Sequence, residues 1–493
     1  IAGTGNDRLD ASGMTLPVAL DGGSGSGADT LIGGAGNDYA YGETGNDKVY
    51  DWSTFSPRLG FNWDVTGDES TQVRGGIGMF SGRAPYVWIS NAYGNTGLDY
   101  TRFTCTGSTT RPPAFNPNPA TQPQACVNAT GQPLPVSALA NEINTIDPDF
   151  KLPQVLRYSL AVDQRLPFGL YGTLEGLYTD SRSDPTYRDL TVIPSGTTMV
   201  EGRQAYTRVQ AAGFGNVYDV FNTDENFSYS LTAQLQRPFI DGWEAMVAYT
   251  FSRSEDVNGL TSSQASSNYR FNPIDQNPND PALRTALNDV PHRIIASGTK
   301  QFIFFRRAPT DLSLIYVGES GRPYSYTYNG DVNGDGQDAN DLIYVPATAA
   351  EVRFAGQSSS NQFTPEASWQ NLNAFIESVE CLRENRGSVI ERNACRQPWS
   401  NRFDVRFAQT LPTLRGQGAQ FTVDILNFGN LLNREWGISE FVPNQADQVL
   451  RVSNTTPVGG RVLMNGFAPR TNPFTVSDLG SRYQIQIGAK YNL

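Results

Sequence analysis

The chain has 493 residues, and 37 Lys and Arg against 49 Asp and Glu give a formal net charge of −12. This acidic balance argues against a nucleic-acid partner, because phosphate binding needs clustered cationic side chains. No apolar run reaches the ~18 residues that a transmembrane helix requires. The abundance of Gly, Tyr and Phe favours many short strands with frequent turns.

The first 50 residues contain a nine-residue repeat. Three copies are contiguous (24–32, 33–41 and 42–50), and a fourth at 2–10 precedes a 13-residue spacer. Each copy has Gly at its fourth position and Asp at its sixth. The repeated aspartates are Asp7, Asp29, Asp38 and Asp47.

This pattern predicts a short parallel β-roll, because the glycines permit tight turns and the apolar eighth residue packs inside a strand. It resembles the RTX calcium-binding nonapeptides. That resemblance implies a Ca²⁺ ion between turns two repeats apart, which pairs Asp29 with Asp47. Asp38 is expected to lack a good partner, because neither the spacer nor the segment after Tyr50 continues the pattern. The alternative is a flexible, Gly-rich arm that binds calcium poorly.

The four cysteines form two local pairs, Cys105 with Cys126 and Cys381 with Cys395. Each pair lies in a polar, strand-poor stretch, and neither has the CxxC spacing of a zinc site. We therefore predict two local disulfides and an oxidising compartment, with free buried thiols as the alternative.

From residue 51 onward, apolar residues alternate with polar ones, which predicts strands with one apolar face. Two hairpins, 154–181 and 226–254, have short turns, whereas the segments 81–153, 255–290 and 323–400 are long. Aromatic residues cluster at the strand ends. The faces opposite the apolar ones carry Arg157, Asp163, Gln164, Thr173, Glu175, Gln234, Glu244, Asp404 and Arg406.

A soluble β-sandwich shows the same alternation, but its core would not accept these charged side chains. Short turns on one side, long loops on the other and a polar interior are typical of an outer-membrane barrel. The fold class that we predict is therefore all-β: an antiparallel transmembrane β-barrel preceded by a short parallel β-roll. The predicted domains are residues 1–50 and 51–493.

Several segments resemble Oar-like TonB-dependent receptors: 55–93, 289–302, 320–346 and 424–437. The C-terminal QIGAKYNL resembles the signal that the outer-membrane assembly machinery reads, through Gln486, Gly488, Tyr491 and Leu493. In that family, extracellular loops capture a scarce ligand and the TonB system drives its uptake.

The sequence departs from that family in two respects. We recognise no plug segment, and we count roughly twelve to fourteen strand patterns where the family has about 22. We therefore expect the barrel to be partial or smaller than usual, so that it either closes on fewer strands or needs a partner. The TonB system is an expected partner only if a plug is supplied elsewhere.

Asp331, Asn333, Asp335 and Gly336 begin like an EF-hand loop, but Leu342 stands where that loop has Glu. This segment is either a second Ca²⁺ site or an Asx-rich turn. The single histidine, His292, is expected to be a structural residue on the periplasmic side or at the membrane interface. No GxSxG, HExxH or phosphate-loop motif is present, so we do not expect an enzyme.

The sequence thus predicts an outer-membrane barrel that contacts membrane lipid. The resemblance to TonB-dependent receptors implies that this barrel binds and imports an unidentified ligand through its extracellular loops. The alternative is a calcium-stabilised surface or secreted β-protein in which the repeat dominates and no transport occurs.

Overall fold

The computed structural model of the protein describes residues 8–10, 19–21, 30–32, 39–41, 48–50, 56–97, 105, 110–123, 125–134, 141–209, 214–305, 308–359, 361–411, 417–458, 460–470 and 473–492. No helix in these ranges is long and apolar enough to cross a membrane.

The N-terminal residues form short parallel strands. They are β1 (Arg8–Asp10), β2 (Ala19–Asp21), β3 (Thr30–Ile32), β4 (Tyr39–Tyr41) and β5 (Lys48–Tyr50). Strands two apart pair in parallel, in the orders β1-β3-β5 and β2-β4, and Leu31 is fully buried. This alternate pairing is the geometry expected of a β-roll.

The spacer adds a strand to the β-roll even though the repeat pattern does not continue through it. Strand β2 lies within the spacer and pairs with β4, Leu20 opposite Ala40. The sequence ALD has an apolar residue at its centre, like TLI and KVY, although the spacer lacks the Gly and Asp spacing of the repeat. Strand pairing depends on backbone hydrogen bonds, so it does not require that signature.

The rest of the chain is mainly antiparallel strand. The strands are β6 (Arg58–Asp64), β7 (Thr71–Ser81), β8 (Asn141–Ile146), β9 (Gln154–Leu166), β10 (Leu170–Asp189), β11 (Val192–Thr198), β12 (Gln204–Arg208), β13 (Phe214–Thr223), β14 (Phe227–Ile240), β15 (Trp243–Asp256), β16 (Arg284–Thr285), β17 (His292–Phe305), β18 (Ala308–Glu319), β19 (Pro323–Asn329), β20 (Tyr344–Val345), β21 (Ser388–Val389), β22 (Cys395–Arg396), β23 (Ser400–Leu411), β24 (Gly418–Leu426), β25 (Glu440–Phe441), β26 (Ala446–Val458), β27 (Arg461–Met464), β28 (Thr475–Val476) and β29 (Gln484–Asn492). The α-helices are α1 (Tyr86–Gly94), α2 (Ala265–Arg270), α3 (Pro365–Ser378), α4 (Glu380–Glu384), α5 (Phe428–Leu432) and α6 (Asp478–Ser481). Single 3-10 turns occur at Pro119–Thr121, Pro167–Gly169, Ala349–Glu351 and Pro443–Gln445.

The main sheet follows the order β29-β24-β23-β18-β17-β15-β14-β10-β9-β7-β6, and β8, β13 and β16 attach beside this path. Every neighbouring pair along the path is antiparallel. Short turns join the strands at one end of the sheet and long connections join them at the other. This arrangement confirms the predicted all-β barrel class, in which the long connections lie on the extracellular side.

The two faces of this sheet differ as the sequence predicts. Large apolar side chains on one face lie open to the surroundings, including Leu160 (57% exposed), Leu231 (50%) and Ile487 (71%). A water-facing surface would not carry so many, whereas a lipid-facing surface requires them.

The long connections are not irregular loops, because parts of them pack together around a hydrophobic core. We call the described residues within 192–208, 321–396 and 442–467 the cap. Its sheet has the order β22-β19-β26-β27, and helix α3 buries Leu372, Phe375 and Ile376 against Tyr326 and its neighbours. A smaller cluster around Tyr187, Tyr218 and Tyr269 lies between β10, β13 and α2.

Candidate functional site

The polar face of the sheet carries a network of charged side chains. Arg74 donates to Asp163 at 2.9 Å and to Glu175 at 2.7 Å, and Thr173 donates to Asp163 at 2.6 Å. These residues come from three adjacent strands, β7, β9 and β10. The network satisfies the charges within the sheet, so this face is stable in contact with water.

Another polar residue named from the sequence also bonds on this face, because Arg157 donates to Thr179 at 3.2 Å. The expectation that Gln164 lies on this face is wrong. Gln164 directly follows Asp163 in β9, so its side chain lies on the opposite face at the short-turn end, where it accepts from Thr71 at 2.7 Å. Farther along the polar face, Arg406 lies 3.6 Å from Asp424. Among the described residues, the structure therefore pairs these charged side chains with neighbours on adjacent strands and does not gather them into a single charged centre.

A cavity of about 410 Å³ lies where this polar face meets the long connections. Strand residues from β9, β10, β14 and β15 form its wall, and Trp88 of α1 and the loop at 258–260 border it. Trp88 donates from its indole nitrogen to the Ser262 carbonyl at 2.8 Å, which fixes α1 against the neighbouring connection.

The cavity contains a polar group without a protein partner. Ser181 is 3% exposed and lines the cavity, and its hydroxyl forms no hydrogen bond. Nearby, Asn226 donates to Asp184 at 2.9 Å, and Asp256 pairs with Arg392 of the cap at 2.7 Å. A buried hydroxyl is normally bonded, so this one is available to a ligand or water.

The EF-hand-like segment lies inside the cap and is held by protein donors. Asp331 accepts from the backbone N–H groups of Gly334 (2.7 Å) and Gly336 (2.9 Å). Asp335 accepts from Asn340 at 2.7 Å, and Asp341 accepts from the buried Arg203 at 2.9 Å. Sequence reasoning missed Arg203, because no local pattern links it to a segment so distant in the chain.

Burial controls the charge of this segment. Burial first, and then the neighbouring Asp341 carboxylate, raise the pKa of Asp331 to about 6 and that of Asp335 to about 8. Burial alone would lower the pKa of the Arg203 guanidinium, but Asp341 and Glu201 raise it, so Arg203 stays charged.

The structure describes only some of the residues predicted to bind calcium. Asp7, Asp29, Asp38 and Asp47 lie outside the described residues. Within the described ranges, no three His, Cys, Asp or Glu side chains are grouped to hold a metal ion. Protein N–H groups already donate hydrogen bonds to the carboxylates of Asp331, Asp335 and Asp341. Calcium binding at this segment stays a prediction.

Both predicted disulfides are present. Cys105 bonds to Cys126 and Cys381 to Cys395, with Cα–Cα distances of 5.5 Å and 5.4 Å. The second joins α4 to β22 at the edge of the cap core, where Cys395 is buried.

The C-terminal signal residues lie on the last strand. In β29, Gln486 lies opposite Asp424 and Gly488 opposite Thr422, while Tyr491 donates to Gln417. Leu493 lies outside the described residues. Whether the assembly machinery reads these residues stays a prediction.

The expectation of a periplasmic-side location for His292 is wrong, although its place at the edge of the apolar face agrees with the interfacial alternative. His292 begins β17 beside the long connections, where its Nδ1 lies 2.8 Å from the Tyr249 hydroxyl and its ring contacts Phe251. The strand direction shows this. Strand β15 runs from the short turn at 241–242 to a long connection, and β17 begins with His292 at the end of that long connection.

An apolar outer face, a polar inner face and packed extracellular connections define an integral outer-membrane β-barrel protein. Residues 19–437 match the family described as "Outer membrane beta barrel domain", so the chain belongs to that family and resides in the bacterial outer membrane. The matched residues begin within the N-terminal repeat segment. No curated protein matches the chain in sequence.

Several solved structures are similar to the chain. The outer membrane transporter YddB from Escherichia coli is 10% identical, with a TM-score of 0.43, and the match covers 88% of this chain and 40% of that one. A mutant of the ferric enterobactin receptor PfeA from Pseudomonas aeruginosa is 9% identical, with a TM-score of 0.36, covering 88% and 39%. This chain thus spans about 40% of the length of these two proteins.

Proposed function

We propose that the chain is the barrel part of an outer-membrane receptor that binds a polar ligand beneath its extracellular cap and passes it along the polar face. The observation that carries this proposal is the cavity of about 410 Å³ at the junction of cap and sheet. Hydroxyl, amide and carboxylate groups line it beside Trp88 and Phe227, which suits a ligand with several hydrogen-bond donors.

The bound ligand would contact both rigid strands and the cap. Ser181 and Ser228 belong to the strands, whereas Asp256 is tied to the cap through Arg392. Ligand binding at this junction would therefore bias the position of the cap. Energised uptake through the TonB system is proposed only together with a plug, as the resemblance to TonB-dependent receptors implies. We propose no enzymatic step.

The proposal is tested by filling the cavity with a larger side chain and measuring which compounds the protein retains. The purified full chain in detergent is mixed with the small-molecule fraction of its growth medium, and retained compounds are identified by mass spectrometry. Ser228→Phe should remove the compounds that the native chain retains. Ser297→Phe, a matched change on the same strand system away from the cavity, should retain them. Equal retention by both variants would exclude the cavity as the binding site.

A second function is supported by the parallel pairing of β1 to β5. We propose that this β-roll binds Ca²⁺ through the aspartates of its repeats, with Asp29 and Asp47 contributing most. Carboxylates in successive turns repel one another without a cation, so calcium binding would supply folding free energy to this segment. Calcium binding by the β-roll is also compatible with the alternative function, a calcium-stabilised surface protein that carries out no transport.

A further inference from the structure

A second cavity lies on the opposite, apolar side of the sheet. It has a volume of about 490 Å³ and lies at the long-connection ends of β23 and β24. Its main lining residues are Trp399, Phe403, Asn427, Glu435, Trp436 and Glu440. Phe403 lies on the same face as the apolar residues that follow it in β23, so this groove opens at the membrane interface and not into the polar interior.

The groove has fixed walls. Trp399 donates from its indole nitrogen to Asn401 at 3.0 Å. Asn427 donates to the carbonyls of Gly437 (2.9 Å) and Ser481 (2.8 Å), which pins the segment that carries Trp436. Gly437 has φ +64°, and a Cβ there would lie 1.9 Å from the Asn427 side-chain oxygen, so only glycine permits this close approach.

Both charged side chains that line the groove are carboxylates, Glu435 and Glu440. Neither Glu435 nor Glu440 has an ion-pair partner in the described part of the chain, and no Lys or Arg lines the groove. The nearby Arg402 is engaged by Asp404 at 3.2 Å. The buried side-chain oxygen of Asn427 also accepts no hydrogen bond.

We propose that this groove binds an organic cation, a primary or quaternary ammonium group. Trp399 and Trp436 are 41% and 56% exposed, so their rings are open to a ligand. Aromatic faces attract such cations, and adjacent carboxylates add Coulomb attraction. An interfacial aromatic girdle would account for the tryptophans alone, but it needs no unpaired carboxylates beside them.

Two sources supply this chemistry: a soluble amine and an amine-bearing lipid headgroup. The groove adjoins the lipid-facing surface, so both can reach it. The proposal concerns the outer face of the sheet and is independent of ligand binding beneath the cap.

The experiment uses choline as the probe and the full chain in detergent. Isothermal titration should show choline binding, and the uncharged isostere 3,3-dimethylbutanol should bind at least tenfold more weakly. The double variant Glu435→Gln with Glu440→Gln should lose at least tenfold in choline affinity, and Trp436→Leu should do the same. Glu225→Gln, an exposed loop change elsewhere, should bind as the native chain does. Retention of heat-modifiable migration in gels shows that each variant is folded.

Equal binding of choline and its neutral isostere would overturn the proposal, as would unchanged affinity in the double glutamine variant. Nanodiscs distinguish the sources. Weaker choline binding in phosphatidylethanolamine discs than in phosphatidylglycerol discs assigns the site to a lipid headgroup, and equal binding assigns it to a soluble cation. Absence of choline binding in both discs refutes the site.

Discussion

Arg203 donates a 2.9 Å hydrogen bond to Asp341, and this fully buried ion pair joins segments that are 138 residues apart in the chain. Glu201 lies 3.2 Å from the same guanidinium. The pair therefore fastens the connection between β10 and β13 to the EF-hand-like segment of the cap.

Removal of one partner should loosen the cap. Arg203→Met leaves the Asp341 carboxylate buried without its cation, which costs on the order of 3–5 kcal/mol. Hydrogen exchange of cap amides should accelerate accordingly, while exchange in β14 and β15 stays unchanged. Adding Asp341→Asn to Arg203→Met should recover part of the loss. Native-like exchange in the single variant would show that the pair does not hold the cap.

The cap should be more stable in acid than in base. Burial raises the pKa of Asp335 from 3.8 to about 8, so the folded cap favours the neutral acid. That stabilisation is complete below the unfolded pKa and is lost as the pH rises through about 8, with Asp331 contributing the same trend through about 6. Each unit of raised pKa corresponds to about 1.4 kcal/mol.

Pulse proteolysis at pH 5, 7 and 9 measures this dependence. Asp335→Asn should make cap stability less dependent on pH, whereas the exposed Asp224→Asn should leave the dependence as it is. Millimolar calcium that restores stability at pH 9 would support a metal site in this segment. Cap stability that rises with pH would contradict the assigned protonation state.

The disulfide between Cys381 and Cys395 should stabilise the cap in particular. It closes a short loop at the edge of the core, and replacing both cysteines by Ser should cost about 3 kcal/mol through loop-closure entropy. Limited proteolysis should then cleave within residues 346–396 sooner. Replacement of Cys105 and Cys126 by Ser should expose the 105–134 region instead and leave the cap resistant. Equal effects of the two changes on the cap would contradict this assignment.

The two faces of the sheet should respond differently to a new charge. Leu231→Arg places a cation on the apolar face and should cost about 2–4 kcal/mol if its position is near the bilayer centre. Gln234→Arg, on the polar face of the same strand, should be tolerated. Folding into lipid vesicles, followed by heat-modifiable gel migration, compares the two variants. A monodisperse, detergent-free native chain would rule out the membrane assignment altogether.

Calcium should order the N-terminal segment. The 27 residues from 24 to 50 contain few apolar side chains, and ordering the backbone costs about 1–2 kcal/mol per residue. Hydrogen exchange of residues 19–50 in the full chain should therefore slow when calcium replaces EDTA. Asp47→Ala should abolish this change, whereas Asp64→Ala, in β6, should preserve it. No change up to millimolar calcium would reject the calcium-binding β-roll.

Local patterns in the sequence were sufficient to predict the strands of the barrel. The hairpin of β9 and β10 follows from alternation around Pro167–Gly169, because a lipid-facing strand must place every second side chain outward. The disulfides also follow from local spacing. Both predictions depend on residues that are near one another in the chain.

The cap could not be predicted in the same way. Tyr326 packs on Phe375 with ring centroids 5.9 Å apart, and Phe375 in turn lies 6.0 Å from Phe467. These contacts join segments far apart in the chain, and their apolar residues show no regular period. The cavity beneath the cap and the groove beside Trp436 depend on the same long-range packing, so sequence alone did not reveal them.

The strand order has a consequence for closure of the barrel. The hydrogen-bonded path from β6 to β29 contains eleven strands, and all of its ladders are antiparallel. Because eleven is odd, β6 and β29 point in the same direction. If β6 and β29 paired directly to close the barrel, that pair would be parallel, unlike every other pair along the path. Any antiparallel closure must insert an odd number of further strands between them, whatever polypeptide provides those strands.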